Sequence, residues 1–180
     1  MNKFLLVTIS IFLLIHSFPT HAQNGRFYST DKELSNSLIN KVYQDRKGFI
    51  WIATENGLNK FDGTRFSIYH YDALNPFSLK NNYVRSLYED SYGNFWIGCI
   101  NGLQLYDRAT DSFRSVDLKR NDENVNAHIT AIIERANGDI WMSTSGQGAI
   151  SIRVDGTNAD KPFDVTMENG LSEKMSTLFL

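Results

Sequence analysis

Asp45-Arg46-Lys47-Gly48-Phe49-Ile50-Trp51-Ile52-Ala53-Thr54-Glu55-Asn56-Gly57-Leu58 returns in register as Asp90-Ser91-Tyr92-Gly93-Asn94-Phe95-Trp96-Ile97-Gly98-Cys99-Ile100-Asn101-Gly102-Leu103. The tryptophans of the chain, Trp51, Trp96 and Trp141, are spaced 45 and 45 residues apart, and Gly48, Gly93 and Gly138 each stand three before one of them. Aligned without gaps, residues 34–63 and 79–108 share 11 identities in 30, where average composition gives roughly two. A fixed period of this length marks a repeat architecture. The third copy is looser: Arg135 replaces the aspartate, and Gly146-Gln147-Gly148 replaces the Asn-Gly turn with one extra residue. Gly170-Leu171-Ser172, Met175 and Leu178 restart the pattern of Leu34, Ile39 and Val42, so a fourth copy is expected to start at about 170.

Each copy reads as four strands. Ile39 to Asp45, Tyr83 to Asp90 and Ile129 to Glu134 are β-branched and aromatic runs of strand length. Phe49 to Ile52, Phe95 to Ile97 and Ile140 to Met142 are apolar on both faces, as central covered strands are. Asn56-Gly57 and Asn101-Gly102 signal hairpins of type I′, which need positive φ at both central residues. Leu58 to Phe61 and Leu103 to Tyr106 supply third strands, and Phe66 to Tyr69, Phe113 to Val116 and Phe163 to Thr166 fourth ones. Ala53, Gly98 and Ser143, two past each Trp, are small, as a close neighbouring sheet requires. The expected fold is all-β: a β-propeller with three complete four-stranded blades at about 34–70, 79–116 and 125–166, plus the start of a fourth. Gly48, Trp51, Gly57, Gly93, Trp96, Gly102, Gly138 and Trp141 form its structural signature.

Residues 1–22 stand apart: Lys3 precedes the apolar run Phe4 to Phe18, and Thr20-His21-Ala22 suits signal peptidase. The run is too short for a spanning helix, which needs about 20 apolar residues. A signal peptide cut after Ala22 leaves an exported segment of 158 residues at 23–180. A four-bladed ring, the smallest usual, needs about 180 residues at this period, so the ring is expected to be incomplete and the isolated chain prone to aggregate. With 18 Lys and Arg against 20 Asp and Glu, scattered along the chain, no basic excess exists to hold a phosphate backbone. Cys99 has no disulfide partner and occupies the place of Thr54 and Thr144, so it reads as a small strand residue.

The strings Leu34-Ser35, Gln44 to Leu58, Tyr88-Glu89-Asp90, Gly93 to Gly98 and Asn101-Gly102-Leu103 resemble the two-component regulator propeller repeat, over about residues 27–180. The resemblance implies the front of the periplasmic sensor of a Bacteroidetes-type hybrid histidine kinase anchored in the inner membrane. There, two propellers and a β-sandwich precede a transmembrane helix, kinase core, receiver and DNA-binding helix-turn-helix. It further implies sensing of carbohydrate breakdown products and control of polysaccharide-utilisation genes. The implied partners are an oligosaccharide ligand, the remaining blades and β-sandwich, and a second copy in a homodimer of the full-length protein.

No serine elbow, phosphate loop or pair of catalytic carboxylates is found, so neither catalytic residues nor a cofactor or metal are expected. Asp45 and Asp90 suit turn capping better than catalysis. Binding is the favoured class. In an up-and-down blade, the second-to-third turn and the connector emerge at one edge, which places Asn56, Asn101, Tyr71 to Asn82 and Asp117 to His128 on one face. Tyr71, Asn81, Asn82, Tyr83 and Arg120 are the ligand candidates, as stacking surfaces and planar polar groups. The competing readings are an exported propeller lyase or hydrolase using His70 or His128, the same sensor joined to a diguanylate cyclase, and an interaction scaffold.

Overall fold

The computed structural model describes residues 25–30, 33–121, 123–154, 163–164 and 166–168. The expected signal peptide and the expected start of a fourth copy lie outside them. Blade one consists of β1 (Ile39–Gln44), β2 (Ile50–Thr54), β3 (Gly57–Phe61) and β4 (Phe66–Tyr69), an antiparallel meander in chain order. Blade two repeats it with β5 (Val84–Glu89), β6 (Phe95–Cys99), β7 (Gly102–Asp107) and β8 (Ser112–Val116). A hairpin of β9 (Leu118–Arg120) and β10 (Glu123–Asn124) turns through Asn121 at φ 50° and leads into blade three. There β11 (Ile129–Glu134), β12 (Asp139–Thr144) and β13 (Ala149–Arg153) are followed by β14 (Phe163–Asp164) and β15 (Thr166–Glu168).

Two sequence expectations are corrected. The outer strand of blade three is Thr166–Glu168, whereas Phe163–Asp164 pairs in parallel with β9. The β9–β10 hairpin presents an open edge, and the chain pairs with it before reaching β13. The Asn-Gly turns are not type I′. Thr54 pairs with Gly57, so Glu55 and Asn56 are the central residues, and neither takes positive φ; Gly57 alone does, at 118°. In blade one Thr54 holds this turn, its Oγ1 accepting the Asn56 N–H at 3.1 Å and donating to the Gly57 carbonyl at 2.8 Å, while in blade two Cys99 pairs with Gly102 in the same register without a hydroxyl. A Cβ on Gly57 would lie 2.7 Å from the Tyr69 carbonyl oxygen, so bulk is excluded as well as strain. Thr144 grips the longer turn of blade three in the same way, donating to the Gly148 carbonyl at 2.7 Å.

Blades stack front to back. Trp51 leaves the front of blade one and is fully buried against blade two, with ring centroids 4.8 Å from Phe95 and 4.7 Å from Tyr106. Such pairs contribute about 0.5–1.5 kcal/mol each beyond area burial. Leu87, Ile97 and Cys99 join this core from blade two. Trp96 repeats the role toward blade three, among Ile129, Ile132, Ile140, Met142 and Ile150. Gly98 has to be small, because a Cβ there would meet Ile129 Cγ2 at 2.7 Å. The innermost strand β5 lies between β1 and β11, as radial order around an axis requires. Trp141 faces the side on which the described residues place no further blade, and it is only half-buried.

The repeated aspartate ties each turn to its tryptophan. Asp45 Oδ1 accepts the N–H groups of Lys47 and Phe49, both at 3.0 Å, while Oδ2 accepts Trp51 Nε1 at 2.9 Å. Asp90 does the same for Tyr92, Asn94 and Trp96. Asn59 and Gln104 anchor the incoming segments: Asn59 Oδ1 accepts Ser35 N–H, and Gln104 accepts Lys80 N–H and donates to the Ser78 carbonyl.

Candidate functional site on the connector face

The turns that follow β2, β6 and β12 meet the incoming connectors at one edge. Gly57 N–H donates to the Asn82 carbonyl at 2.7 Å, Asn101 Nδ2 to the Lys80 carbonyl at 3.2 Å and Gln147 Nε2 to the Asn126 carbonyl at 3.3 Å. One position per blade closes this edge. The carbonyls of Leu38, Tyr83 and His128 accept the N–H groups of Glu55, Ile100 and Ser145, respectively. Their side chains therefore form a row, one from each blade, at the mouth where the innermost strands begin.

Just inside, every innermost strand carries a bulge, between Ile39 and Lys41, Val84 and Ser86, and Ile129 and Ala131. The residue left out of the ladder is Asn40, Arg85 or Thr130, and such bulges redirect side chains. Arg85 is thereby brought to Tyr83, its guanidinium carbon 5.9 Å from the ring centroid and Nη1 3.5 Å from the hydroxyl. Tyr83 donates its hydroxyl to Glu55 Oε1 at 2.9 Å across the blade junction. His128 meets the Tyr83 ring edge-on at 6.3 Å, and its Nε2 is buried with no hydrogen-bond partner. Desolvation first, and then the Arg85 charge, lower the His128 pKa, so its imidazole is neutral at pH 7. One carboxylate, one guanidinium, one phenol and one neutral imidazole thus converge from three blades.

The sequence candidates separate on this face. Tyr83 is at its centre. Asn81 Oδ1 is committed to the Tyr83 N–H at 2.8 Å, as Asn36 Oδ1 is to the Leu38 N–H one repeat earlier. Asn82 Oδ1 accepts the N–H of exposed Tyr71 at 2.6 Å, so both hold the connector. Arg120 lies on β9, in a different sheet. Glu55 and Arg85 were not singled out from sequence, although the 45-residue register places Arg85 opposite Asn40 and Thr130. The His70 ring lies against Gly57. Cys99 is buried, and desolvation pushes its thiol up to about 12. A separate cleft of about 820 Å³ runs along blade two past Asn75, Phe77, Asn94, Arg108 and Arg114. Among the described residues no group of three or more His, Cys, Asp and Glu side chains is placed to hold a metal ion.

The two component regulator propeller family matches residues 33–56 and 78–101, the segments that bear the first two aspartate-tied turns and tryptophans. Histidine kinase P4 of Formosa agariphila is 42% identical over 52 residues, 27% of this chain and 4% of that protein. A crystal structure of the extracellular domain assigned to a hybrid two component system of B. thetaiotaomicron superposes with a TM-score of 0.64 at 28% identity, covering 72% of this chain and 19% of that one. Virginiamycin B lyase from Staphylococcus aureus shares the fold alone, at 18% identity and a TM-score of 0.53 over 73% of this chain and 42% of that one. The chain thus spans less than a fifth of that extracellular domain and a twenty-fifth of the kinase relative.

Proposed function

We propose that this chain is the leading part of an exported sensor propeller in a transmembrane hybrid two-component protein, and that its connector face binds a carbohydrate breakdown product. The observation that carries the reading is the cluster of Glu55, Tyr83, Arg85 and His128, gathered from three blades on the face where the variable connectors emerge. An aromatic ring offers an apolar platform for the C–H face of a sugar. Beside it a guanidinium and a carboxylate, planar groups with fixed donor and acceptor directions, suit vicinal hydroxyls. The similarity to extracellular domains of hybrid systems supports export and signalling as the setting. Phosphoryl transfer and the control of transcription belong, in this proposal, to other parts of the longer protein.

Calorimetric titration of the complete extracellular portion with oligosaccharides tests it. A saturable heat that weakens at least tenfold in Tyr83→Ala and Arg85→Ala is expected. The absence of any saturable signal across neutral and acidic oligosaccharides, or conversion of the sugar to a new product, would sink the sensor reading.

A further inference from the structure

We infer that the Trp141 face of blade three docks a further blade of the same repeat, and that this blade presents a carboxylate to Arg135 and the Trp141 indole N–H. The inference rests on the proposal that the chain belongs to a longer receptor. It starts from a difference between equivalent junctions. At the first, Arg108 of blade two donates from Nη1 to Asp45 Oδ2 at 2.8 Å, the same oxygen that accepts Trp51 Nε1 at 2.9 Å. At the second, Asp90 Oδ2 accepts Trp96 Nε1 and Asn94 Nδ2, each at 2.8 Å, and the residue in Arg108's place is the buried Val154. In both, the indole N–H ends on a carboxylate.

Blade three breaks the pattern. Arg135 stands in the aspartate's place, its guanidinium carbon 5.5 Å from the Trp141 ring centroid. Trp141 Nε1 is buried and has no acceptor. Asp139, in the place of Asn94, is held by Arg153 Nε at 3.2 Å and Asn137 Nδ2 at 2.7 Å. The indole N–H is therefore buried with no acceptor, beside an exposed guanidinium whose charge also acts on Asp139. Buried N–H groups in folded proteins are paired, and a carboxylate satisfies a neutral donor and a guanidinium at once.

The fold shows where that carboxylate comes from. At the first junction the side chain that reaches the indole's acceptor is Arg108, supplied by the following blade. With the aspartate changed to arginine on the near side, the complementary change on the far side is arginine to acid. The surface also needs a blade for its apolar part: Trp51 and Trp96 are fully buried by the blade in front of them, and Trp141 is not. The junction is the first one with its charges exchanged, which makes blade three accept one successor and disfavour the others.

The first test is to read the next repeat of the longer protein. The residue 18 places after the position equivalent to Asp90, where Arg108 stands in blade two, is expected to be Asp or Glu. In the complete extracellular portion, the Trp141 indole N–H is expected to exchange with deuterium at least tenfold more slowly than in the 180-residue chain, with Trp51 and Trp96 slow in both. Arg135→Met should lower the Tm of the complete portion and leave that of the 180-residue chain unchanged. A neutral or basic residue at that place, equal exchange in both proteins, or a silent Arg135→Met overturns the inference and leaves the receptor proposal standing. A Trp141 protected in the 180-residue chain through a dimer seen by sedimentation makes a second copy the occupant, which also overturns it. If no repeat follows, the receptor proposal fails and takes this inference with it.

Discussion

Trp96 donates its indole N–H to Asp90 Oδ2 across 2.8 Å, six residues upstream, while the other oxygen of the same carboxylate accepts two N–H groups of the intervening turn. The side chain that shapes the turn thus also fixes the ring filling the next junction. Asp90 and the Trp96 ring it serves are both fully buried, so loss of the carboxylate leaves the indole N–H unpaired.

Asp90→Ala is therefore expected to cost about 3 kcal/mol, the range for removing a charged acceptor from buried donors. Asp90→Asn keeps one acceptor oxygen and should cost about half as much. Urea unfolding measures both, and a loss below about 1 kcal/mol for the alanine variant would contradict the dual role.

Glycines with positive φ are not equivalent here. Gly93, at φ 87°, has open space where a Cβ would go, whereas at Gly57 the Cβ would press on the Tyr69 carbonyl. Gly93→Ala should cost about 1 kcal/mol, from backbone strain alone. Gly57→Ala adds an overpacking cost and should reach about 3 kcal/mol. Equal midpoints in thermal unfolding would show that close approach is not what selects glycine at 57.

Cys99 interrupts a pattern that threonine completes in the other two blades. Its neighbours in register, Thr54 and Thr144, donate to turn carbonyls at 2.8 and 2.7 Å. Cys99→Thr is expected to stabilise the chain by about 1 kcal/mol, the usual net of one such hydrogen bond. The native thiol, raised by burial, should resist thiol reagents until the chain unfolds.

Stability should fall in two steps as pH is lowered. His128 has a depressed pKa from desolvation and from Arg85, so the unfolded chain takes up its proton first. Its contribution is complete above the ordinary value of 6.5 and is lost as pH falls from there through the folded-state value. Burial alone would raise Asp45 and Asp111, but hydrogen bonds override it: from Trp51 and Arg108 to Asp45, and from Tyr106, Tyr69 and Lys60 to Asp111. Their contributions hold above 3.8 and are lost below it. Chemical denaturation from pH 8 to pH 3 should show both steps, and His128→Phe should erase only the upper one.

The strands were legible because their signals are local: β-branched runs, covered apolar triplets and the 45-residue beat of tryptophan. Asp45 could be read as a turn cap for the same reason, since its turn partners lie two and four residues away. Its indole partner is as near in the chain, but only the fold of the hairpin shows the two meeting. The type I′ expectation failed because a dipeptide rule does not fix the register: Thr54 pairs with Gly57 and Cys99 with Gly102, which puts each glycine after the two central residues instead of among them. The site was least legible. Glu55 and Tyr83 meet across 28 residues of chain through a blade junction, and Arg85 is aimed by a bulge that has no composition of its own.

That bulge has an evolutionary consequence. The residue it expels, Asn40, Arg85 or Thr130, differs in every blade while the ladder on either side keeps the same register. It makes no ladder pair, and its side chain joins a different partner in each blade: Asn40 Nδ2 donates to the Val84 carbonyl at 2.8 Å, Arg85 approaches Tyr83, and Thr130 Oγ1 meets Ser143 Oγ at 2.7 Å, so the position varies without changing how the strands pair. A propeller so built resembles a lock with one replaceable pin per sector. Side chains can be substituted there one blade at a time, and duplication of a blade adds one more such position.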